Sequence, residues 1–299
     1  MINKISTRLH NIVAAPRRKE ALNQLLRQGL PPELFEPARY LVTGKASPNV
    51  QAVQMLVEAQ RHKIASRGTE LVDVLYSPKP GSAGAEVTPE LRPKHGKVIE
   101  FTMERVAHTG KDKRWGTFLH ILASEVGGTF LELGSCAGIS GSYLAAAPTC
   151  KRLITIEGSP ALARLADETT SSVAPNRVEV IAGLFDHVLD RLLPDLGRNT
   201  TDLAFIDGHH ERVATLHYFE RIKPALHPGS VVVFDDISWS SDMRLMWEEI
   251  TQQNCISHTA DFGAVGVLIY DPSKSSPSHW DFQPILGRHS IGEPWGWKE

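Results

Sequence analysis

Residues 129–147 read Thr-Phe-Leu-Glu-Leu-Gly-Ser-Cys-Ala-Gly-Ile-Ser-Gly-Ser-Tyr-Leu-Ala-Ala-Ala, and this stretch decides the fold. Its apolar start predicts a short buried strand, its spaced glycines predict a turn, and its alanine-rich end predicts a helix. A helix that begins directly after such a turn offers free backbone N–H groups and a positive dipole end to a carboxylate or phosphate. The stretch therefore indicates a cofactor-binding turn, although plain α/β connections have the same pattern.

The glycines Gly134, Gly138 and Gly141 have the spacing Gly-x-x-x-Gly-x-x-Gly. Dinucleotide-binding proteins typically carry Gly-x-Gly-x-x-Gly, in which the second glycine makes room for a pyrophosphate. The wider spacing favours a nucleoside cofactor other than NAD. An NAD(P)-dependent oxidoreductase on a Rossmann fold remains the alternative hypothesis from this turn.

Composition excludes several classes of partner. The chain has 299 residues, 41% of them hydrophobic, and a formal net charge of -2. Because the chain has no overall positive charge, its composition does not predict nucleic-acid binding. No apolar run approaches the roughly 18 residues needed to cross a bilayer. Three scattered cysteines, Cys136, Cys150 and Cys255, are typical of a reducing compartment. We therefore expect a cytoplasmic protein without nucleic-acid or membrane partners.

The chain divides into three predicted parts. Residues 1–97 form a helical appendage and linker, with helical patterns at 21–26 and 49–64 and a Pro/Gly-rich loop at 77–97. We expect this part to cap the site or to form a homodimer through its helices. Residues 98–271 form the core, beginning with a helix at 98–106, and residues 272–299 form an irregular tail.

The core alternates strand and helix patterns from residue 129 onward. Such alternation predicts a doubly wound, Rossmann-like α/β fold. We expect a mostly parallel sheet of seven strands, closed by an antiparallel hairpin at 256–260 and 265–270.

Acidic residues follow the predicted strands. They are Glu157, Asp207, Asp235 and Asp236. The carboxyl ends of parallel strands line the ligand crevice, so these acids should converge there. Glu157 lies a little over twenty residues beyond Gly134, where α/β cofactor folds place the carboxylate that binds the ribose hydroxyls. The alternative for Glu157 is an acid in solvent at a strand end.

Four segments together resemble a known family. They are Phe-Leu-Glu-Leu-Gly-Ser-Cys-Ala-Gly-Ile-Ser (130–140), Ile-Thr-Ile-Glu-Gly (154–158), Phe-Ile-Asp-Gly-His-His (205–210) and Val-Val-Phe-Asp-Asp-Ile-Ser-Trp (232–239). In this order and spacing they resemble class I S-adenosylmethionine-dependent methyltransferases, and in particular bacterial relatives of the catechol and caffeoyl-CoA O-methyltransferases. The resemblance covers residues 98–270.

The resemblance implies S-adenosylmethionine as cofactor and a set of residues around it. Glu132, Gly134 and Gly138 would surround the methionine part, Glu157 would hold the ribose, and the turn at 182–185 would lie near the adenine. The cofactor-binding residues expected on this basis are Glu132, Gly134, Ser135, Gly138, Glu157, Gly158, Gly183, Phe185 and Asp207.

The metal-dependent branch of the family implies a divalent cation, Mg²⁺ or another ion, at Asp207, Asp235 and Asp236. Asp236 replaces the asparagine that is usual there. Three carboxylates within about 6 Å of one another require a cation or a bound proton to relieve their repulsion. The alternative is structural, with Asp236 capping a turn and Asp235 bonded to backbone amides.

His210 matches the position of the base in that branch, which is a lysine. A neutral imidazole can accept a proton from a substrate hydroxyl or amine near pH 7. With Asp207, it forms the expected catalytic pair. The resulting hypothesis is methyl transfer from S-adenosylmethionine to an oxygen, or a nitrogen, of a small molecule, and the alternative within this family is a non-catalytic S-adenosylmethionine-binding protein.

Overall fold

The computed structural model describes residues 20, 22, 23, 29–76 and 97–286. In chain order the strands are β1 (Leu71–Tyr76), β2 (Lys97–Thr102), β3 (Gly128–Leu133), β4 (Cys150–Glu157), β5 (Val178–Ala182), β6 (Thr201–Ile206), β7 (Leu226–Phe234), β8 (Ile256–Asp261), β9 (Gly266–Tyr270) and β10 (Ser278–Asp281). The helices are α1 (Pro32–Thr43), α2 (Pro48–Ala65), α3 (Met103–Thr109), α4 (Lys113–Val126), α5 (Ile139–Ala145), α6 (Pro160–Val173), α7 (Phe185–Leu196), α8 (Arg212–Ile222), α9 (Ser241–Thr251) and α10 (Gln283–Leu286).

The central sheet has the order β10-β8-β9-β7-β6-β3-β4-β5. Strands β5, β4, β3, β6 and β7 are parallel, and β9 runs antiparallel to both β7 and β8. The expected doubly wound sheet with an antiparallel hairpin is therefore confirmed. The chain winds from β3 outward to β5 and then returns to β6 on the other side of β3, so the ligand crevice is expected at the carboxyl ends of β3 and β6.

The segment 272–299, expected to be irregular, contributes an eighth strand. Strand β10 pairs in parallel with β8. Trp280 and Phe282 lie two residues apart and are both buried, and the Phe282 ring stacks on Phe262 with the ring centroids 4.5 Å apart. This burial of two aromatic side chains holds the strand against the sheet edge. Residues 287–299 of the tail lie outside the described residues.

The helix expected at 98–106 begins later than predicted. Residues up to Thr102 form β2, in which Val98 is exposed, Ile99 is half-buried and Phe101 is buried. This alternation has the period of a strand, and β1 pairs with it in antiparallel register. The Thr102 side chain then accepts a hydrogen bond from the backbone N–H of Arg105 (3.2 Å) and starts α3.

The N-terminal helices pack into the same body as the sheet. The pattern at 49–64 is confirmed as α2, whereas most of the pattern at 21–26 and the loop at 77–96 lie outside the described residues. One apolar cluster joins Val57 of α2, Val74 of β1 and Phe101 of β2 to Tyr143 of α5. The boundary expected between residues 97 and 98 falls within β2, which pairs with β1 of the expected N-terminal part.

Within the described part of the chain, every helix is too short or too polar to cross a lipid bilayer.

Candidate active site

A cavity of about 1060 Å³, open to solvent at its mouth, lies at the carboxyl ends of the central strands. Its wall includes six of the expected site residues, which are Gly134, Glu157, Gly158, Phe185, Asp207 and His210. The N-terminal strands supply further wall through Val74, Leu75 and Phe101.

The glycine turn is fixed by close backbone packing. Gly134 has φ +105°, and a Cβ added there would lie 2.0 Å from the carbonyl oxygen of Asp207. Gly138, at the start of α5, has φ +78°, and a Cβ there would lie 2.8 Å from the backbone of Ala166. The missing side chains therefore allow the turn to sit directly against β6 and α6.

Glu157 ends β4 with both carboxylate oxygens held by the backbone. Oε2 accepts the N–H of Cys136 and Oε1 accepts the N–H of Ser159, each at 2.8 Å. Burial raises the pKa of Glu157, and the backbone N–H groups partly offset this rise. Each oxygen retains a second lone pair for a donor in the cavity.

Glu132 lies beneath the turn and not on the cavity wall. The Thr155 hydroxyl lies 2.6 Å from Glu132 Oε2 and 2.8 Å from the Ser135 hydroxyl. Because Thr155 has only one proton, it can donate to only one of these two oxygens. Burial raises the pKa of Glu132 to about 7, although the hydroxyls of Ser140 and Thr155 lower it. A protonated Glu132 can donate to Thr155, which then donates to Ser135, so the chain of hydroxyls is satisfied.

The acids after β6 and β7 form one cluster around a lysine. The Lys111 ammonium forms an ion pair with Asp235, and its Nζ lies 3.8 Å from Asp236 Oδ1. The charge of Asp207 also acts on both Lys111 and Asp235. Lys111, more than 120 residues away in the sequence, thus pairs with the two consecutive acids Asp235 and Asp236.

Burial and charge set the protonation of this cluster. Burial favours a neutral Lys111, yet Asp235, Asp236 and Asp207 together raise the pKa of Lys111 above its ordinary value. Burial and the neighbouring Asp207 raise the pKa of Asp235 to about 7, against the opposing charge of Lys111. Burial likewise raises the pKa of Asp207, so the pKa values of these two neighbouring acids are shifted in the same direction.

His210 lies between two of these acids. Its Nε2 is 3.8 Å from Asp207 Oδ1 and its Nδ1 is 3.8 Å from Asp236 Oδ2, and its ring centroid is 6.0 Å from that of Trp239. Both separations exceed hydrogen-bond distance, so neither acid fixes the ring. The neighbouring His209 points to Tyr218, whose hydroxyl lies 3.0 Å from Nδ1.

The site holds an unusual backbone. Among the described residues, six non-glycine residues have positive φ, and four of them lie here: Cys136 (46°), His209 (68°), His210 (26°) and Asp236 (52°). Such conformations cost roughly 1–3 kcal/mol each and persist where the surroundings enforce them. Their concentration at one sheet edge is typical of a functional site.

The expected metal site does not match the arrangement of side chains. No group of three His, Cys, Asp or Glu residues in the described chain is arranged to hold an ion. The Lys111 ammonium lies where a divalent ion would have to bind Asp235 and Asp236 together. An ammonium and a divalent ion cannot share that position, so the residues do not fit the metal.

The structure separates the remaining expected residues from the cavity. Glu132, Ser135, Gly138, Gly183, Asp235 and Asp236 are not part of its wall. Sequence reasoning missed Lys111 and the strand residues Leu75 and Phe101, which come from segments with no motif. The Gly110-Lys111-Asp112 loop before α4 was visible only as a charged loop.

Residues 131–237 match the family model of a methyltransferase domain. The matched segment spans 107 of the 299 residues. It carries the glycine turn, Glu157, His210 and all three acids of the cluster, whereas Lys111 precedes it. The resemblance to methyltransferases is therefore confirmed for the part of the chain that builds most of the site. A search of curated proteins gave no match.

Solved structures similar to the chain include three methyltransferases. The O-methyltransferase TomG from Streptomyces achromogenes, involved in tomaymycin synthesis and solved with SAM, is 22% identical over 54% of this chain and 82% of that one, with a TM-score of 0.46. The O-methyltransferase from Bacillus cereus, solved with SAH, is 19% identical over 77% of this chain and 94% of that one, with a TM-score of 0.45. The SAH-bound methyltransferase PaMTH1 from Podospora anserina is 17% identical over 55% of this chain and 81% of that one, with a TM-score of 0.47.

The raised pKa of Glu132 predicts a pH dependence of stability. The folded chain binds this proton more tightly than the unfolded chain, so the stabilisation is complete below the ordinary pKa of 4.5 and is lost as the pH rises to about 7. The loss amounts to about 3 kcal/mol. Glu132→Gln resembles the protonated acid. It should remove this part of the pH dependence of the free energy of unfolding, measured by urea titration between pH 4.5 and 8. Glu168→Gln, at an exposed position, is the control. If the free energy of unfolding of Glu132→Gln depends on pH as strongly as that of the wild type, the raised pKa does not belong to Glu132.

Proposed function

We propose that the chain transfers the methyl group of S-adenosylmethionine to a hydroxyl oxygen of a small molecule. The observation that carries the proposal is Glu157. Its two oxygens are held by backbone N–H groups of the glycine turn and of α6, and they face a cavity in a methyltransferase domain.

The cavity offers a fitting partner for each part of this cofactor. Glu157 would accept hydrogen bonds from the two ribose hydroxyls. The turn at 134–138 comes close enough for backbone contact with the methionine part, because Gly134 and Gly138 carry no side chain. Phe185 and Leu184 supply an apolar wall for the adenine. Glu132 and Ser135 would support the turn from below, since both are buried behind it.

When bound, S-adenosylmethionine supplies a methyl group on a positively charged sulfur, which keeps the electron pair of the broken S–C bond. His210 would accept the proton that the substrate hydroxyl loses as its oxygen forms the new bond to carbon. Asp207 and Asp236, each 3.8 Å from one ring nitrogen, would stabilise the imidazolium so formed. The proton then passes to solvent, because His210 is partly exposed.

The base favours an oxygen acceptor over a nitrogen acceptor. A neutral amine attacks with a free lone pair and requires no proton removal beforehand, whereas a hydroxyl is a weak nucleophile until its proton is removed. A histidine at the cavity wall therefore serves a hydroxyl substrate best. We assign no step to Mg²⁺ or another divalent cation, because Lys111 lies at that position.

The N-terminal part of the chain would act as a cap. Val74, Leu75 and Phe101 belong to the cavity wall, and the Ser159 hydroxyl, next to Glu157, donates to the carbonyl oxygen of Asp73 at 2.5 Å. The expected homodimer through the N-terminal helices stays a prediction. It is compatible with the exposed side chains of Met55 and Leu56 on α2.

Glu157→Gln is expected to weaken S-adenosylmethionine binding 10- to 100-fold, because it removes the charge from the hydrogen bonds to the ribose. Isothermal titration calorimetry measures the change. Glu179→Gln, an exposed substitution on the neighbouring strand β5, makes the same charge change and should leave the affinity unaltered. A wild-type chain that binds NADH and not S-adenosylmethionine would refute the proposal.

His210→Ala should lower kcat for a hydroxyl substrate by 10²- to 10⁴-fold, the usual contribution of a general base, while cofactor affinity changes little. The assay follows transfer of radiolabelled methyl groups from S-adenosylmethionine to a panel of phenols, sugars and amines. His187→Ala, at an exposed position on α7, is the control. Unchanged turnover of the preferred acceptor by His210→Ala would remove His210 from the mechanism, and cofactor binding with no acceptor turned over would favour a non-catalytic role.

A further inference from the structure

We infer that the ammonium of Lys111 takes the place of a divalent cation at the acidic edge of the sheet, so that the chain neutralises Asp207, Asp235 and Asp236 with its own side chain. As a statement about catalysis the inference rests on the proposed function, whereas the charge compensation stands on the contacts alone.

The first support is the position of the ammonium. Lys111 Nζ pairs with Asp235 and lies 3.8 Å from Asp236, and only 13% of the Lys111 side chain is exposed. Asp235 is almost fully buried, with 1% of its side chain exposed. A buried carboxylate without a partner costs several kcal/mol, so removal of the lysine would leave a strongly unfavourable charge.

The second support is the way the fold holds Lys111. The loop that carries it is fixed from α2 by the buried side chain of Arg61, which donates to the carbonyl oxygens of Ala107 (2.7 Å) and Lys111. Glu58 in turn pairs with Arg61 and accepts the Tyr143 hydroxyl at 2.9 Å. On the other side, the Asp112 side chain caps α4 by accepting the N–H of Trp115 at 2.9 Å. The lysine therefore enters the cluster from a backbone fixed at both ends, and Arg61 is its positioning residue.

The third support is the chemistry of the cluster. A Mg²⁺ ion requires oxygen ligands at about 2.0–2.1 Å in octahedral arrangement, and Ca²⁺ requires six to eight of them. The space between Asp235 and Asp236 is taken by an ammonium, which cannot be a ligand while protonated. In the proposed reaction Lys111 would hold Asp235 and Asp236 in place beside His210.

The test measures Mn²⁺ binding to the full chain by the loss of the free-ion signal in electron paramagnetic resonance. Wild-type protein should bind Mn²⁺ with Kd no tighter than about 1 mM, the weak end of protein sites. Lys111→Met frees three carboxylates and should bind Mn²⁺ at least tenfold more tightly. Lys113→Met, two residues away and exposed, should match the wild type, and Lys111→Arg should restore weak binding.

Tight Mn²⁺ binding by the wild type, or a folded Lys111→Met that binds no better than the wild type, would overturn the inference. If Lys111→Met does not fold, circular dichroism of the double variant Lys111→Met/Asp235→Asn measures whether removal of the Asp235 charge restores the fold. Recovery of the fold supports charge compensation of Asp235 by Lys111, and no recovery contradicts it. None of these measurements uses S-adenosylmethionine, so a failure of cofactor binding would overturn the proposed function without altering their outcome.

Discussion

The site depends on one electrostatic constraint. Parallel strands β6 and β7 end at the same edge of the sheet, and their acids Asp207, Asp235 and Asp236 come together in a largely buried place. Burial and mutual repulsion both disfavour three negative charges, so the edge requires a positive partner. Lys111 provides it, and Arg61 fixes the loop that carries Lys111. The N-terminal helix α2 thereby supports the candidate active site.

The cofactor side of the cavity depends on backbone geometry. Gly134 and Gly138 let the turn after β3 touch the end of β6 and the face of α6. The same turn presents the N–H of Cys136 to Glu157 and so orients the carboxylate at the end of β4. Asp207, which follows β6, lines the cavity and also belongs to the acidic cluster. It therefore lies where the cofactor side of the site adjoins the charged side.

The sequence was sufficient for the core of the fold and for much of the cavity wall. The parallel strands β3, β4, β6 and β7 each contain an apolar run, and the motif acids lie at their carboxyl ends, so Glu157, Asp207 and His210 could be placed at one edge. Residues that belong to no sequence motif could not be placed at the site from the sequence. Lys111 and Lys113 look alike in the sequence, and only the start of α4 at residue 113 and the contact with Arg61 distinguish them. Strands β1 and β2 were missed because they precede the strand–helix alternation that begins at residue 129, and β10 was missed because Trp280 is its one apolar residue.

The central claim is that a lysine, and not a metal ion, neutralises the acidic edge beside an S-adenosylmethionine site. A crystal structure of the chain with S-adenosylhomocysteine, grown with Mn²⁺ and measured at the manganese absorption edge, tests it most directly. The account predicts ribose hydroxyls on Glu157, the Lys111 ammonium between Asp235 and Asp236, and no anomalous peak in the cluster. A manganese peak bound by Asp207, Asp235 and Asp236, with Lys111 displaced, would contradict it.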